Sequence, residues 1–310
     1  MNSTPAVSVI LPTHNRATLV GRAIESVLGQ SFEDFELIVV DDNSTDDTAQ
    51  VIARFDAHPR LRYYRNAKNL GPSGARNRGI DLARGSYVAF QDSDDRWFPE
   101  KLARQMEEIR EKDAQVCYCG AFYYSPENSY YIPRPRTVSK KGMQSGDLSR
   151  DILFDNPTTP QTLLVKRSLF DTVGRFDETL PIKVDWDLAI RLAQNAPFAF
   201  VAEPLVLIYR TEGSVSSDRV ADAATREKLL KKYDLIFRRN FRARARQLYI
   251  VGCLHMENGE PDKAWKPLLE SLRTQPGFRP LAQTIRAALL TVLRALRSSR
   301  KQGVQQSKVR

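Results

Sequence analysis

Over the first hundred residues, short β-branched apolar runs alternate with segments whose apolar residues recur at helical spacing, which restricts the chain to an α/β architecture. Residues 7–11 (ended by Pro12), 36–40, 61–65 and 86–90 read as strands. Between them, Leu19, Ala23, Ile24, Val27 and Leu28 share a helical face. Ser44 is placed to cap a helix through Phe55, with Asp46 and Asp47 favoured in its first turn, and 73–83 read as a helix closed by Gly85. Another helix begins at Pro99, with Leu102, Met106 and Ile109 on one side. Right-handed crossovers at this pitch produce a mainly parallel sheet with helices on both faces.

In open α/β sheets the ligand crevice lies beyond the carboxyl ends of the strands. Three segments share that edge: Pro12-Thr13-His14-Asn15, Asp41-Asp42-Asn43-Ser44 and Gln91-Asp92-Ser93-Asp94-Asp95. Their carboxylates repel one another unless a cation or a donor-rich ligand neutralises them. Asp92 and Asp94, one residue apart at a strand end, suit a hard divalent cation that also binds phosphate oxygens; Asp95 is expected to cap the next segment. The glycines of 69–77 offer backbone N–H groups to an anion at a helix start, and Arg76 suits phosphate or base. The alternative there is a capped helix packed on the sheet. Asp185-Trp186-Asp187 opens a helix, so either acid is a cap or a general base reaching across the crevice. His14 lies in the crevice loop and could stack on or hydrogen-bond a ligand. His58 and His255 show no ligand spacing and read as incidental.

The remainder of the chain differs in character. Residues 125–146, rich in Tyr, Pro and Ser, read as a long loop, 205–209 as a strand and 218 onward as helical. Tyr249, Gly252, Gly259, Ala264, Leu268 and Leu272 resemble a single tetratricopeptide-type hairpin. The net charge of +10 belongs to the end of the chain: after Glu270 there are nine Lys or Arg residues and no acid. Leu281, Ile285, Leu289, Val292 and Leu296 fall near one helical face, with Arg286, Arg294 and Arg297 available to headgroups. Such a tail suits an anionic membrane surface, or else docks as an ordinary amphipathic helix. No signal-type segment opens the chain and no apolar run reaches bilayer length, while Cys117, Cys119 and Cys253 suit a reducing compartment. The expected location is cytoplasmic, with peripheral attachment to the inner face of the cell membrane as a candidate, and no nucleic acid is expected as partner.

Taken together, residues 7–16, 39–47, 71–79, 90–95 and 185–188 resemble, in order and spacing, a family 2 glycosyltransferase with the GT-A fold. The resemblance covers roughly residues 5–216. It implies a catalytic domain over 1–217, with 218–310 as a helical C-terminal extension. It also implies an inverting, metal-dependent hexosyl transfer from a nucleotide-diphospho-sugar, most commonly a UDP-sugar, to a saccharide or lipid-linked acceptor. Surface polysaccharide or glycolipid synthesis is the setting, with Mn²⁺ or Mg²⁺ as cofactor. By the same resemblance Pro12, Thr13, His14 and Asn15 line the nucleotide site and Asp42 hydrogen-bonds the base. Gly71, Arg76, Asp92 and Ser93 contact the nucleotide-sugar, Asp94 ligates the metal, and Asp185 is the catalytic base. The chain departs from the family in having Val184 where a Glu usually precedes the base, and Glu212 near the position of a common His. A non-catalytic binding or scaffold protein with a degenerate site is the alternative. A sugar nucleotidyltransferase would need a basic, glycine-rich loop after the first strand, which Pro12 to Asn15 do not supply.

Overall fold

The computed structural model describes residues 4–125, 129–132, 145–209 and 218–307, with backbone alone for 130–132 and 294–307. The chain forms two compact units, Met1–Leu180 with Val184–Glu212, and Pro181–Lys183 with Gly213–Arg310.

The first unit contains β1 (Val7–Thr13), α1 (Val20–Leu28), β2 (Phe35–Asp41), α2 (Thr48–Ala53), β3 (Leu61–Arg65), α3 (Gly71–Leu82), β4 (Tyr87–Phe90), β5 (Arg96–Trp97) and α4 (Lys101–Lys112). Then follow β6 (Val116–Tyr124), β7 (Tyr130–Ile132), β8 (Leu163–Lys166), α5 (Leu169–Val173), α6 (Val184–Ala193) and β9 (Phe198–Tyr209). The strands make one sheet in the order β3-β2-β1-β4-β8-β6-β9-β5, with β7 paired to β6. Its β3-β2-β1-β4 half is parallel, as the alternating pattern requires. Beyond β4 the sheet is mixed: β8 is antiparallel to both β4 and β6, and β5 to β9, whereas β6 and β9 are parallel. Every residue of β1 and β2 is buried, which explains continuous rather than alternating apolar runs.

Two local expectations are corrected. Strand β1 runs through Pro12 to Thr13. Ile10 faces β4, accepting a bond from the Gln91 N–H, and Pro12 faces the same way, past the end of β4. No ladder bond is lost where proline has no N–H. Ser44 does not cap α2. The helix is short because residues 44–48 tie the loop after β2 to the loop after β1. Ser44 Oγ accepts from the Asn15 N–H (3.0 Å), Thr48 Oγ1 from the Arg16 N–H (2.8 Å) and Asp46 from the Ala17 N–H (3.1 Å). The expected loop 125–146 contains β7; residues 126–128 and 133–144 lie outside the described residues, as do 210–217 with Glu212.

The second unit is helical: α7 (Arg219–Lys232), α8 (Asp234–Arg239), α9 (Phe241–Glu257), α10 (Pro261–Thr274) and α11 (Phe278–Ser307). Helices α9 and α10 form the expected hairpin, packed so closely that a Cβ on Gly252 would lie 2.4 Å from Leu268 Cγ. Helix α7 packs on α9 and α11 on α10, supplying the neighbours that one repeat lacks. His255 is not incidental: nearly buried, it meets Glu260 through Nδ1 (2.9 Å) and Glu227 through Nε2 (3.0 Å), joining α7 to the α9–α10 turn. On α11, Ala287 is buried against Ala264 and Leu268, while Leu281, Ile285, Leu289 and Val292 are exposed. The side chains of Arg294, Leu296 and Arg297 lie outside the described residues.

Candidate active site

Because β1, β2 and β4 are parallel, their carboxyl ends bring Thr13, Asp41 and Gln91 to one edge of the sheet, with the acids that follow them. The five carboxylates are not equivalent there. Asp41, fully buried, accepts from the Ser44 N–H (2.8 Å) and the Tyr63 hydroxyl (2.9 Å). Burial and Asp41 together push the Tyr63 phenol up to about 12, so it stays a donor. Asp42 is held by the Leu70 N–H (2.9 and 3.0 Å) and the Asn66 amide (2.8 Å), both in the approach to α3. Asp92 takes Arg76 Nη2 on one oxygen (2.5 Å) and Gln161 Nε2 on the other (2.7 Å).

Asp95 is the clear correction. Rather than capping the next segment, it is 2% exposed and accepts from the Tyr209 N–H (2.9 Å) and Gln161 Nε2 (2.5 Å). It pins the end of β9 to the acidic edge. Burial, then Asp92 and Asp94, push its carboxyl well above the usual range. Asp94 is different again. Among the described residues its carboxylate has no hydrogen-bond or ion-pair partner besides its own backbone N–H; Arg22 binds its carbonyl instead (3.0 Å). Burial, then Asp92, raise its pKa, and its own backbone N–H, Arg16 and Arg22 only partly offset them.

The remaining edge residues divide between tying and waiting. His14 Nδ1 donates to the Asp42 carbonyl (2.9 Å), which leaves Nε2 to accept from the Asn15 amide (3.2 Å). Asn15 (φ 51°) also accepts the Thr45 N–H (2.8 Å), so both side chains hold the two loops together. Pro12 and Ser93 are buried. Thr13 Oγ1 and Arg76 Nε are buried polar atoms with no hydrogen-bond partner among the described residues. Gly71 opens α3 with φ +76°, a backbone conformation that glycine adopts without strain.

Asp185 and Asp187 also separate. Asp187 is fully buried and ion-paired to Arg191 (2.7 Å), whose guanidinium also binds the Val173 and Arg175 carbonyls. Asp185, half-buried in the first turn of α6, accepts from Asn156 Nδ2 (2.8 Å). Five residues on, Gln161 holds Asp92 and Asp95. One segment, at most about 17 Å from end to end, therefore links Asp185 to the acidic edge. Neither Asn156 nor Gln161 was singled out by sequence reasoning. The available signal was a polar run with prolines at 157 and 160, set directly before the apolar strand β8.

Oxygen donors of this kind suit a hard cation such as Mn²⁺ or Mg²⁺. Among the described residues no three His, Cys, Asp or Glu side chains converge as a metal cage. The arrangement fits an ion bound through one or two carboxylates, with phosphate oxygens and water completing its shell.

An α/β sheet with this acidic edge is the GT-A architecture. The structure resembles Staphylococcus aureus TarS residues 1–349 in complex with UDP-GlcNAc, with a TM-score of 0.69 at 21% identity over 94% of this chain and 92% of that one. The glycosyl transferase family 2 model matches residues 8–174, more than half of the chain, and the protein belongs to that family. An uncharacterized glycosyltransferase of Rickettsia felis is 35% identical over 189 residues, 61% of this chain and 30% of that protein. The GalNAc(5)-diNAcBac-PP-undecaprenol β-1,3-glucosyltransferase of Campylobacter jejuni is 41% identical over 114 residues, 36% of this chain and 37% of that protein. The chain thus spans under two fifths of the length of either curated relative.

Proposed function

We propose that the chain is an inverting, metal-dependent glycosyltransferase that moves a hexose from a UDP-sugar to an acceptor hydroxyl, in cytoplasmic steps of surface polysaccharide or glycolipid synthesis. One observation carries this reading. Of five acids on the sheet edge, four are satisfied by protein donors, while the charged form of Asp94 is disfavoured by burial and by Asp92 and has no side-chain donor among the described residues. Such a group gains most from a cation.

In the proposed reaction Asp94 ligates Mn²⁺ or Mg²⁺, which supplies positive charge for the departing diphosphate. Arg76 and Gln161 fix Asp92 beside it. Thr13 Oγ1 and Arg76 Nε, without a hydrogen-bond partner among the described residues, gain one from the nucleotide. Asp185, oriented by Asn156, accepts the proton of the attacking hydroxyl. A single carboxylate suffices, because the diphosphate leaves without a proton. UDP as the nucleotide is supported by the TarS complex, and a lipid-linked acceptor by the undecaprenol named for the Campylobacter relative.

The test is UDP release from UDP-sugars by the purified chain with Mn²⁺, in the presence and absence of EDTA. Release that EDTA stops, and that Asp94→Asn removes, is the expected result. Absence of release from any nucleotide-sugar would favour the non-catalytic protein with a degenerate site: a binding module if Mn²⁺ and UDP still give a thermal shift, a scaffold if they do not.

A further inference from the structure

Helix α11 has two opposite faces. One is docked: Ala287 is fully buried in the small core with Ala264 and Leu268, and Thr284 and Thr291 beside it are part-buried. The other carries Phe278, Leu281, Ile285, Leu289, Val292 and Leu293, which are 44 to 84% exposed. On a helix turning 100° per residue these six lie within an arc of roughly 120°, and Ala287 lies opposite its centre. Six large apolar side chains on one open face exceed the scatter of single exposed residues found on ordinary surfaces. Exposed Arg279 and Arg286 flank the arc on one side.

The charge of the segment selects the occupant. From residue 271 to the end of the chain there are nine Lys or Arg residues and no Asp or Glu. A protein partner would need to be both apolar and strongly acidic. A nucleic acid would satisfy the cations and leave the Phe, Leu and Ile side chains in water. A bilayer containing anionic lipid satisfies both, with acyl chains for the apolar arc and headgroup phosphates for the guanidinium groups. Among the described residues no helix is long and apolar enough to cross a membrane, so the helix would lie in the interface plane.

We propose that α11 is an interfacial membrane-binding helix that inserts the Phe278–Val292 face into an anionic bilayer, with Arg279 and Arg286 at headgroup level. The α11 face shares no residue with the acidic edge, and vesicle binding can be measured with no donor or cation present. Failure here and failure of the proposed transfer are therefore distinguishable.

The experiment is flotation of the full chain with phosphatidylcholine vesicles, with and without phosphatidylglycerol, for the wild type and for an Ile285→Glu/Leu289→Glu double variant. Both substituted residues point away from the docked face, and circular dichroism melting verifies that the variant is folded. The wild type is expected to float only with the anionic vesicles, and the variant to lose at least tenfold of the bound fraction. Raised salt should weaken the binding of the wild type. Absence of wild-type flotation, or equal flotation of the two proteins, overturns the proposal. So does a wild-type dimer in light scattering that the double variant dissolves, since a second copy would then cover the face.

Discussion

The two units solve the problem of charge in opposite ways. In the first, a large apolar core of fully buried strands carries the stability, and acids are concentrated at one edge where most are held by neutral donors. The second buries fewer large side chains, among them Leu229, Phe237, Val251 and Leu268, and its helices are also laced together by ion pairs. Arg244 joins Asp234 of α8 to Glu270 of α10, Arg219 joins α7 to Glu257 of α9, and His255 lies between two glutamates. Generous burial lets the first unit tolerate an uncompensated carboxylate at Asp94. The second uses charge in its assembly, and leaves the apolar arc of α11 exposed.

The largest effect should come from the first unit. Asp185→Asn is expected to lower kcat about 10³-fold while leaving the donor dissociation constant nearly unchanged, measured by single-turnover transfer and titration. Retained turnover would remove Asp185 as base. In the second unit, Gly252→Val would drive a side chain into Leu268 and cost about 2 kcal/mol or more in thermal or urea unfolding. A neutral result would mean that the hairpin has room to spread, and that close packing is not what holds it.

A smaller effect tests the positioning of the acids. Gln161→Leu removes a donor from both Asp92 and Asp95, and should raise the Mn²⁺ concentration needed for half-maximal activity about tenfold. An unchanged Mn²⁺ titration with a general fall in kcat would make Gln161 merely structural.

The acidic edge also predicts a gain. Asp94 has its pKa raised in the folded state, so the folded chain holds a proton that the unfolded chain has released. Stability therefore falls as pH rises from the unfolded value to the folded one. At neutral pH, without metal, Asp94→Asn should raise the melting temperature by a few degrees, and the gain should vanish as pH falls through that window. A destabilised variant would show that Asp94 has a partner within the protein. The smallest effect is Arg219→Ala, which breaks an exposed ion pair and should change stability by less than about 0.5 kcal/mol.

Much of the first unit was legible because its strands are buried on both faces and its helices carry regular apolar stripes. Parallel pairing then follows from chain geometry, and so does the gathering of three strand ends at one edge. Residues without periodicity were less readable. Ser44 has the chemistry of a helix cap and Asp95 that of a turn acid. Each was captured by a distant backbone N–H, Asn15 in one case and Tyr209 in the other.

Sequence by itself determined which elements form, the edge on which the acids collect, and the family to which the first unit belongs, because local periodicity and short motifs are properties of neighbouring residues. Only the tertiary structure decided which of five carboxylates stays uncompensated, that Asp187 is structural while Asp185 faces Asn156, and that Ala287 rather than the leucines of α11 turns inward. Those outcomes depend on donors and surfaces far away along the chain, and no local pattern records them.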